Sequence, residues 1–182
     1  MNQKQTLVIN LIGGPCSGKS TISAELFARL KKMGVHTELV SEYIKERIYE
    51  ENKTITTHQI AIFGMEHYSI SNKIGKVDCI VHDGSFINNI IYKQEDNPEF
   101  DAFIVAEYRK FNNLDFFVKR GNIEFEDYGR IHNQKQSKEL DKIIKETYNK
   151  YDLKYIEVES RDAVDKIIPH ILRKIDQIKS KI

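Results

Sequence analysis

Residues 13–20 read Gly-Gly-Pro-Cys-Ser-Gly-Lys-Ser, which matches the phosphate-loop pattern G-x-x-x-x-G-K-[ST]. The apolar segment Leu7–Ile12 precedes the match, as expected of a strand that is buried on both faces of a parallel sheet. Residues 21–33 have the apolar spacing of a helix, and Gly34 follows as a helix stop. A glycine loop between a strand and a helix places backbone N–H groups at a helix N-terminus, where an anion is stabilised. The sequence therefore predicts a loop that binds a nucleoside triphosphate.

The composition argues for a single soluble domain. The chain has 182 residues, with 28 basic and 27 acidic side chains and a formal net charge of +1, so nothing global favours duplex DNA as a partner. Neither Cys16 nor Cys79 fits a disulfide framework or a zinc site. Because we find no signal peptide and no membrane-spanning segment, we expect a cytoplasmic protein without membrane contact.

Strand and helix patterns alternate along the chain, which predicts an α/β fold with a parallel sheet in three layers. The strand candidates are residues 6–12, 36–40, 79–82, 115–119 and 154–158. The helix candidates are residues 19–33, 42–51, 57–74, 85–93, 99–112, 134–150 and 161–180. No repeat or flexible linker divides the chain, so we expect one domain over residues 1–182, with a lid segment at about 120–133.

The strand compositions predict which strands are central. Residues 7–12, 79–81 and 116–118 are almost continuously apolar, as expected of strands inside a parallel sheet. Residues 36–40 and 155–159 mix charged and apolar side chains, as edge strands often do. A five-stranded parallel sheet in the order 2-3-1-4-5 agrees with these edges, although two other orders share them.

Asp83 directly follows the apolar strand Cys79–His82, in the arrangement of a Walker B segment. In a parallel sheet this carboxylate emerges beside the phosphate loop, where it can position Mg²⁺ while Ser20 supplies a hydroxyl ligand. The alternative is that Asp83 caps the helix that follows. We favour the metal role.

Glu42 follows the second strand and should lie at the same edge of the sheet, across the site from the nucleotide. A carboxylate in that place could orient or deprotonate an attacking hydroxyl. Equally, it could be a glutamate in the first turn of a helix, which the helix dipole stabilises there. From the residues alone the two interpretations are evenly matched.

Lys119 and Arg120 end the fourth strand, and a polar stretch leads from there through Arg130 to a long helix. Two arginines on a flap above a phosphate loop could neutralise charge on a transferring phosphoryl group. The alternative is that both are ordinary surface arginines.

Two classes of NTPase are disfavoured. Motor ATPases usually carry a water-activating glutamate directly after the Walker B aspartate, and here that residue is Gly84. The string Asn-Lys-Tyr-Asp at residues 149–152 matches the guanine-reading motif of GTPases, but it ends a helix instead of following a strand.

Taken together, the phosphate loop, Ser41-Glu42-Tyr43, Asp83-Gly84-Ser85 and the flap with Arg120 and Arg130 resemble the small P-loop kinases of the nucleoside and nucleotide kinase superfamily. The sequence is most similar to the ribosylnicotinamide-kinase-like AAA-type ATP-binding proteins of phages and bacteria. The resemblance covers essentially the whole chain. It implies ATP as phosphoryl donor with Mg²⁺ as cofactor, and a nucleoside-like small molecule as acceptor.

The resemblance also implies roles for individual residues. The catalytic candidates are Lys19, Glu42, Asp83, Arg120 and Arg130, with Ser20 and Asp83 as metal ligands. The ATP-binding candidates are Gly13, Gly14, Pro15, Cys16, Ser17, Gly18, Lys19, Ser20 and Thr21, with Ser160 and Arg161 beside the adenine. The acceptor candidates are Glu42, Tyr43, Gln59, Phe63 and His67, of which Phe63 could equally be a plain core residue.

One departure from related kinases concerns the acceptor. Many nucleoside and thymidylate kinases carry an acidic residue followed by arginine after the third strand, and here the pair is Asp83-Gly84. A contact from that arginine to an acceptor phosphate is therefore missing, which argues against thymidylate kinase activity.

The leading hypothesis is an ATP-dependent kinase that phosphorylates a nucleoside- or nucleotide-like acceptor. A second hypothesis is a nucleotide-binding regulatory ATPase or host-interaction protein, because the missing glutamate at Gly84 fits that class as well. A third is a kinase acting on a modified base in DNA, against which the near-neutral charge counts. The sequence leaves the acceptor and the oligomeric state open.

Overall fold

The computed structural model describes residues 6–51, 53–121 and 134–180. In this part of the chain, strands and helices alternate as the sequence predicts. The strands are β1 (Leu7–Ile12), β2 (Thr37–Val40), β3 (Cys79–His82), β4 (Asn112–Lys119) and β5 (Ile156–Glu159). The helices are α1 (Lys19–Lys32), α2 (Tyr43–Tyr49), α3 (Lys53–Thr56), α4 (Gln59–Ser71), α5 (Asn88–Ile91), α6 (Pro98–Tyr108), α7 (Gln134–Lys150) and α8 (Ala163–Lys179), with a short 3-10 turn at Ser160–Asp162.

The five described strands form one parallel sheet in the order β2-β3-β1-β4-β5. Leu7 of the central strand β1 is in register with Cys79 of β3 on one side and with Asn112 of β4 on the other. The predicted order is thus confirmed, with the mixed-composition strands β2 and β5 at the edges.

The sheet separates two apolar clusters, because successive strand residues face opposite sides. On one side Leu7, Ile9 and Leu11 pack with the apolar residues of α1 and α8. On the other side Val8 and Ile12 pack with residues of α4, α5, α6 and α7. The core therefore has three layers, with the sheet in the middle, as expected from the sequence.

Element boundaries differ from the predicted ones mainly between β2 and β4. The predicted helix 85–93 is reduced to the four residues of α5, and β4 begins at Asn112 instead of residue 115. Helix α6 begins at Pro98, because the Asn97 side chain accepts a hydrogen bond from Phe100 N and caps the helix. No helix in the described residues is both long and apolar enough to cross a membrane.

All five strands point the same way, so their C-terminal ends lie along one edge of the sheet. The residues that follow these ends begin the phosphate loop, the Glu42 segment, the turn at Asp83, the flap at Arg120 and the turn at Ser160. The fold thereby brings five separate parts of the sequence to one edge.

Candidate nucleotide-binding and phosphoryl-transfer site

The phosphate loop closes tightly between β1 and α1. Gly13 adopts a φ of 142°, and a Cβ there would lie 3.0 Å from Ser17 Oγ and 3.0 Å from Val118 O, so a larger residue does not fit. Gly18, with a φ of 91°, precedes α1, and its carbonyl accepts the Ile22 N–H at 3.0 Å. The loop therefore ends in the N-terminal turn of a 14-residue helix.

Lys19 folds back over the loop. Its Nζ donates to Gly13 O at 2.7 Å and to Gly14 O at 3.1 Å. The ammonium group consequently lies beside the start of the loop, although Lys19 itself belongs to the first turn of α1. This arrangement places a positive charge next to the loop's backbone N–H groups.

Asp83 is suited to a hard cation. The residue is 5% exposed, its N–H donates to Val40 O at 2.9 Å, and its Oδ1 is buried without a hydrogen-bond partner in the described residues. A buried carboxylate oxygen in need of a partner fits Mg²⁺, which proteins bind through one or two carboxylates together with substrate phosphates. Ser20 lies exposed in the first turn of α1. Among the described residues, no three His, Cys, Asp or Glu side chains group as a complete metal cage.

Arg120 lies against the phosphate loop, where helix α7 also makes contact. Its Nη2 donates to Asp141 Oδ2 at 2.7 Å and to Ser137 O at 3.2 Å. The other oxygen of Asp141 accepts the Gly14 N–H at 2.6 Å, and the Ser137 hydroxyl donates to Pro15 O. Helix α7 is thus bonded to both the loop and Arg120.

The other flap residues have different surroundings. Lys119 is half-exposed and pairs with Glu159 at 2.8 Å and Glu157 at 3.4 Å, so it contacts the edge strand β5. The second flap arginine, Arg130, lies outside the described residues, as does most of the predicted lid.

The turn after β5 also reaches this edge. Ser160 Oγ accepts the Gly121 N–H at 3.2 Å, and Arg161 beside it is exposed. Because Gly121 follows Arg120 directly, this contact links the Ser160–Asp162 turn to the flap. The structure therefore brings both predicted adenine-side residues to the same end of the sheet as the loop.

The charge of Glu42 acts on two buried residues, Glu66 and Tyr92. Glu66 on α4 is buried and accepts a hydrogen bond from Asn89 Nδ2 at 2.8 Å. Burial raises the pKa of Glu66 to about 8, and the Glu42 carboxylate adds to the effect. Tyr92 is raised in pKa as well, first by burial and then by the carboxylates of Glu42 and Asp141. The Glu42 carboxylate thus interacts electrostatically with two buried ionisable groups, Glu66 and Tyr92.

The other predicted acceptor residues occupy different environments. Phe63 is 5% exposed and packs in an aromatic cluster, with ring centroids 5.4 Å from Phe86 and 5.6 Å from Phe103. His67 Nε2 lies 3.3 Å from Glu107 Oε2, so it contacts α6. The structure therefore surrounds Phe63 and His67 with core and helix contacts.

Gln59 and Tyr43 lie on separate helices. Gln59 is buried in the first turn of α4. Tyr43 begins α2, and the Arg47 guanidinium stacks over its ring at 5.0 Å from the centroid. Tyr43 is nevertheless adjacent to Glu42, at the edge that carries the phosphate loop.

A buried polar network runs across the sheet next to the Asp83 turn. Asp115 Oδ1 accepts Asn10 Nδ2 at 2.8 Å, and its Oδ2 accepts the Tyr108 hydroxyl at 2.9 Å and the Tyr148 hydroxyl at 2.5 Å. Tyr148 also hydrogen-bonds to Ser85 Oγ at 3.0 Å. The network therefore connects β1, β4, α6 and α7 to the Asp83-Gly84-Ser85 turn.

Sequence reasoning missed Ser137, Asp141, Glu66, Asn89 and Tyr92. No motif marks any of them. Glu66 and Asp141 carried a weak signal, since a charged residue on the apolar face of a helix is a candidate for a buried role. Their contacts to Asn89 and Gly14 depend on the tertiary fold.

The parallel sheet and the loop between β1 and α1 together define a P-loop fold. Residues 8–166 match the family described as AAA domain (AAA_28), and the chain belongs to this family. No sequence among curated proteins matches the chain significantly.

Two solved structures of deoxyadenosine kinase from M. mycoides are similar to this chain. The structure with dCMP and a flexible dCDP bound is 19% identical, with a TM-score of 0.54, and the structure with dATP bound is 20% identical, with a TM-score of 0.55. Each comparison covers 94% of this chain and 100% of the kinase. At this identity the likeness establishes the fold alone, and the resemblance to ribosylnicotinamide-kinase-like proteins stays a prediction.

Proposed function

We propose that this protein transfers a phosphoryl group from ATP to a nucleoside- or nucleotide-like acceptor. The observation that carries the proposal is the convergence of Lys19, Arg120, Asp83 and Glu42 at one edge of the sheet around a phosphate loop. Phosphoryl transfer depends mainly on positioning and on positive charge near the transferring group. Two cations beside the loop and two carboxylates at neighbouring strand ends meet those requirements.

On the donor side, the backbone N–H groups of residues 13–20 would hold the phosphates at the start of α1. Lys19 would exchange its bonds to Gly13 O and Gly14 O for the β- and γ-phosphates. Arg120 would neutralise charge on the transferring group, together with Arg130 from the lid. Ser160 and Arg161 would lie beside the adenine.

Asp83 and Ser20 would hold Mg²⁺, which supplies charge neutralisation on the β- and γ-phosphate oxygens when bound. The Asp83 Oδ1 atom, which is buried and has no hydrogen-bond partner among the described residues, supports this assignment.

On the acceptor side, Glu42 would orient or deprotonate the attacking hydroxyl. Gln59 and Tyr43 remain candidates for acceptor contacts. Phe63 and His67, which contact Phe86 and Glu107, would support the acceptor site without touching the acceptor. Glu66, which is hydrogen-bonded to Asn89 and interacts electrostatically with Glu42, adds a buried polar group that was not part of the sequence-based site.

A regulatory ATPase or ATP sensor is the second candidate, because Gly84 follows Asp83 in place of a water-activating glutamate. The two candidates differ in where the γ-phosphate goes. A kinase places it on an added acceptor, whereas a regulatory ATPase releases inorganic phosphate or retains ATP unchanged.

A transfer assay tests the proposal. The protein is incubated with γ-labelled ATP and Mg²⁺ against nucleosides, deoxynucleoside monophosphates, ribosylnicotinamide and oligonucleotides. We expect label on one acceptor class, and we expect Lys19→Ala to lower kcat by about 100-fold or more, since removing one charge-stabilising donor costs that much in other enzymes. Lys32→Ala, an exposed lysine at the end of the same helix, should transfer at the parent rate.

Two results would overturn the proposal. One is a blank across the whole panel while ATP still binds, which moves the assignment to the regulatory candidate. The other is a Lys19→Ala variant that transfers at the parent rate.

A further inference from the structure

Arg120 contacts helix α7 through one of its three guanidinium nitrogens. Its side chain is 11% exposed, and both contacts to α7 are made by Nη2. Within residues 6–51, 53–121 and 134–180, its Nε and Nη1 are buried without a hydrogen-bond partner. Burying a guanidinium N–H without an acceptor costs free energy, so a bound anion that accepts from these two groups would be stabilised.

Asp141 bonds to both parts of the site that an incoming phosphate would meet. One carboxylate oxygen accepts the Gly14 N–H at 2.6 Å, and the other accepts Arg120 Nη2 at 2.7 Å. Ser137, one helical turn earlier on α7, repeats the pattern by donating to Pro15 O and accepting from Arg120. The position of Arg120 relative to the loop is therefore set by one carboxylate and one turn of α7.

We propose that Asp141 is a positioning residue for phosphoryl transfer, joining Arg120 to Gly14 so that the Arg120 Nε and Nη1 groups are presented to the transferring γ-phosphate. The inference rests on the proposed function. Asp141 itself touches neither substrate nor reacting atoms. Its carboxylate holds the fork of Arg120 from one side, which leaves the opposite donors free for a second anion.

The test uses Asp141→Asn in the full-length protein. Asparagine keeps an oxygen for the Gly14 N–H but turns an NH₂ group toward Arg120, so the variant breaks the Arg120 contact selectively. Misplacing a positioned group by about 1 Å can cost about 100-fold in rate. We expect kcat to fall about 10- to 100-fold, with the KM for the acceptor changed less than about threefold.

A second readout does not require transfer. The affinities for ATP–Mg²⁺ and ADP–Mg²⁺ are measured for the parent, Asp141→Asn, Arg120→Ala and the double variant. Because Arg120 is assigned to the γ-phosphate, each single substitution should weaken the binding of ATP more than the binding of ADP, by about 3- to 10-fold. The double variant should lose no more than Arg120→Ala alone, since Asp141 acts through Arg120.

Three further variants serve as comparisons. Glu146→Gln changes an exposed carboxylate on the same helix, paired only with Lys142 in the described residues, and should behave as the parent does. Ser137→Ala removes the bond to Pro15 O but keeps the carbonyl that Arg120 uses, so it should lower thermal stability without changing the ATP-to-ADP ratio. If Asp141→Asn does not fold, Asp141→Glu replaces it, because the longer side chain keeps the charge and displaces Arg120.

The outcomes separate the two proposals. If the parent transfers phosphate to nothing but the affinity pattern is as expected, the proposed function fails and the positioning of Arg120 stands. The inference is wrong if Asp141→Asn weakens the binding of ATP and of ADP equally, or if it still lowers ATP affinity in the Arg120→Ala background. Asp141 would then only stabilise the packing of α7 on the loop.

Discussion

At the scale of single residues, Glu66 makes stability depend on pH. Burial is the main cause that raises its pKa to about 8 from an ordinary value of 4.5. The unfolded chain releases this proton near pH 4.5, so between pH 4.5 and about 8 the folded protein binds more protons than the unfolded one. The free energy of unfolding contributed by Glu66 therefore falls as pH rises through this window.

We expect Glu66→Gln to remove this loss, because glutamine keeps an oxygen for Asn89 Nδ2 and does not ionise. Two other buried groups, Asp115 with a pKa of about 6 and His82 with a pKa lowered to about 4 from 6.5, are present in both proteins, so their contributions cancel when the parent and the variant are compared. Urea unfolding from about pH 6.5 to about pH 8.5 should therefore show a decline in the free energy of unfolding for the parent that the variant lacks, at about 1.4 kcal/mol per pH unit below the folded pKa of about 8.

The exposed Glu139 on α7 provides the control, and Glu139→Gln should keep the parent's slope. Equal slopes for the parent and Glu66→Gln over the same range would show that the Glu66 carboxyl is already ionised in the folded protein.

At the scale of elements, helix α7 connects two parts of the site. Ser137 and Asp141 in its first half contact the phosphate loop, and Tyr148 near its end reaches the turn after β3. The helix therefore forms hydrogen bonds to two segments, the loop that follows β1 and the turn that follows β3. A shift of α7 would disturb both segments together.

Gly14→Ala tests how closely α7 lies on the loop. A Cβ at Gly14 would be 2.5 Å from Ser137 O and 2.9 Å from Asp141 Oδ1, and a backbone carbonyl cannot rotate away as a side chain can. The helix must shift, so we expect a loss of about 1–3 kcal/mol in the free energy of unfolding together with loss of transfer activity. Thermal unfolding and the transfer assay measure the two effects.

Gly64→Ala is the matched control. Gly64 lies inside α4 and nothing would lie within 4 Å of its Cβ, so alanine there should stabilise the protein by up to about 1 kcal/mol. A Gly14→Ala protein as stable as the parent would mean that α7 does not contact the loop in solution.

At the scale of the whole molecule, the Asp115 network joins helices α6 and α7, which pack on the same side of the sheet, to strand β4. Tyr148 is fully buried and hydrogen-bonds to Asp115 Oδ2 and Ser85 Oγ. We expect Tyr148→Phe to lower the free energy of unfolding by about 1–3 kcal/mol, because two buried polar groups lose a partner. Tyr68→Phe, at a residue that is 65% exposed, should change stability by less than about 0.5 kcal/mol in the same denaturant titration. A Tyr148→Phe effect as small as that of Tyr68→Phe would refute the network's contribution.

The fold could be predicted from sequence because its signals are local. The apolar runs at β1, β3 and β4 identify the central strands, and the phosphate-loop pattern fixes the first turn of α1. The positions of the strand ends then follow from topology, which is why Asp83, Glu42 and Arg120 could be placed at one edge of the sheet. Short helices such as α3 and α5 carry too few residues for a periodic signal.

The contacts that complete the site could not be predicted, because they join residues distant in sequence. Asp141 reaches Gly14 across 127 positions, and Tyr148 reaches Ser85 across 63. In neither pair does the local sequence around one residue indicate which distant residue it contacts. The contacts of a polar residue on a helix can be inferred only once the position of that helix in the fold is known.

The strand at the middle of the sheet precedes both of its neighbours in the chain. During synthesis β1 therefore emerges long before β3, and longer still before β4, whose pairing with it spans about a hundred residues. Until those segments leave the ribosome, the six residues of β1 have no neighbouring strand, and their backbone N–H and C=O groups are open to pairing with another chain. Chaperone shielding of this stretch during translation would follow from strand order alone.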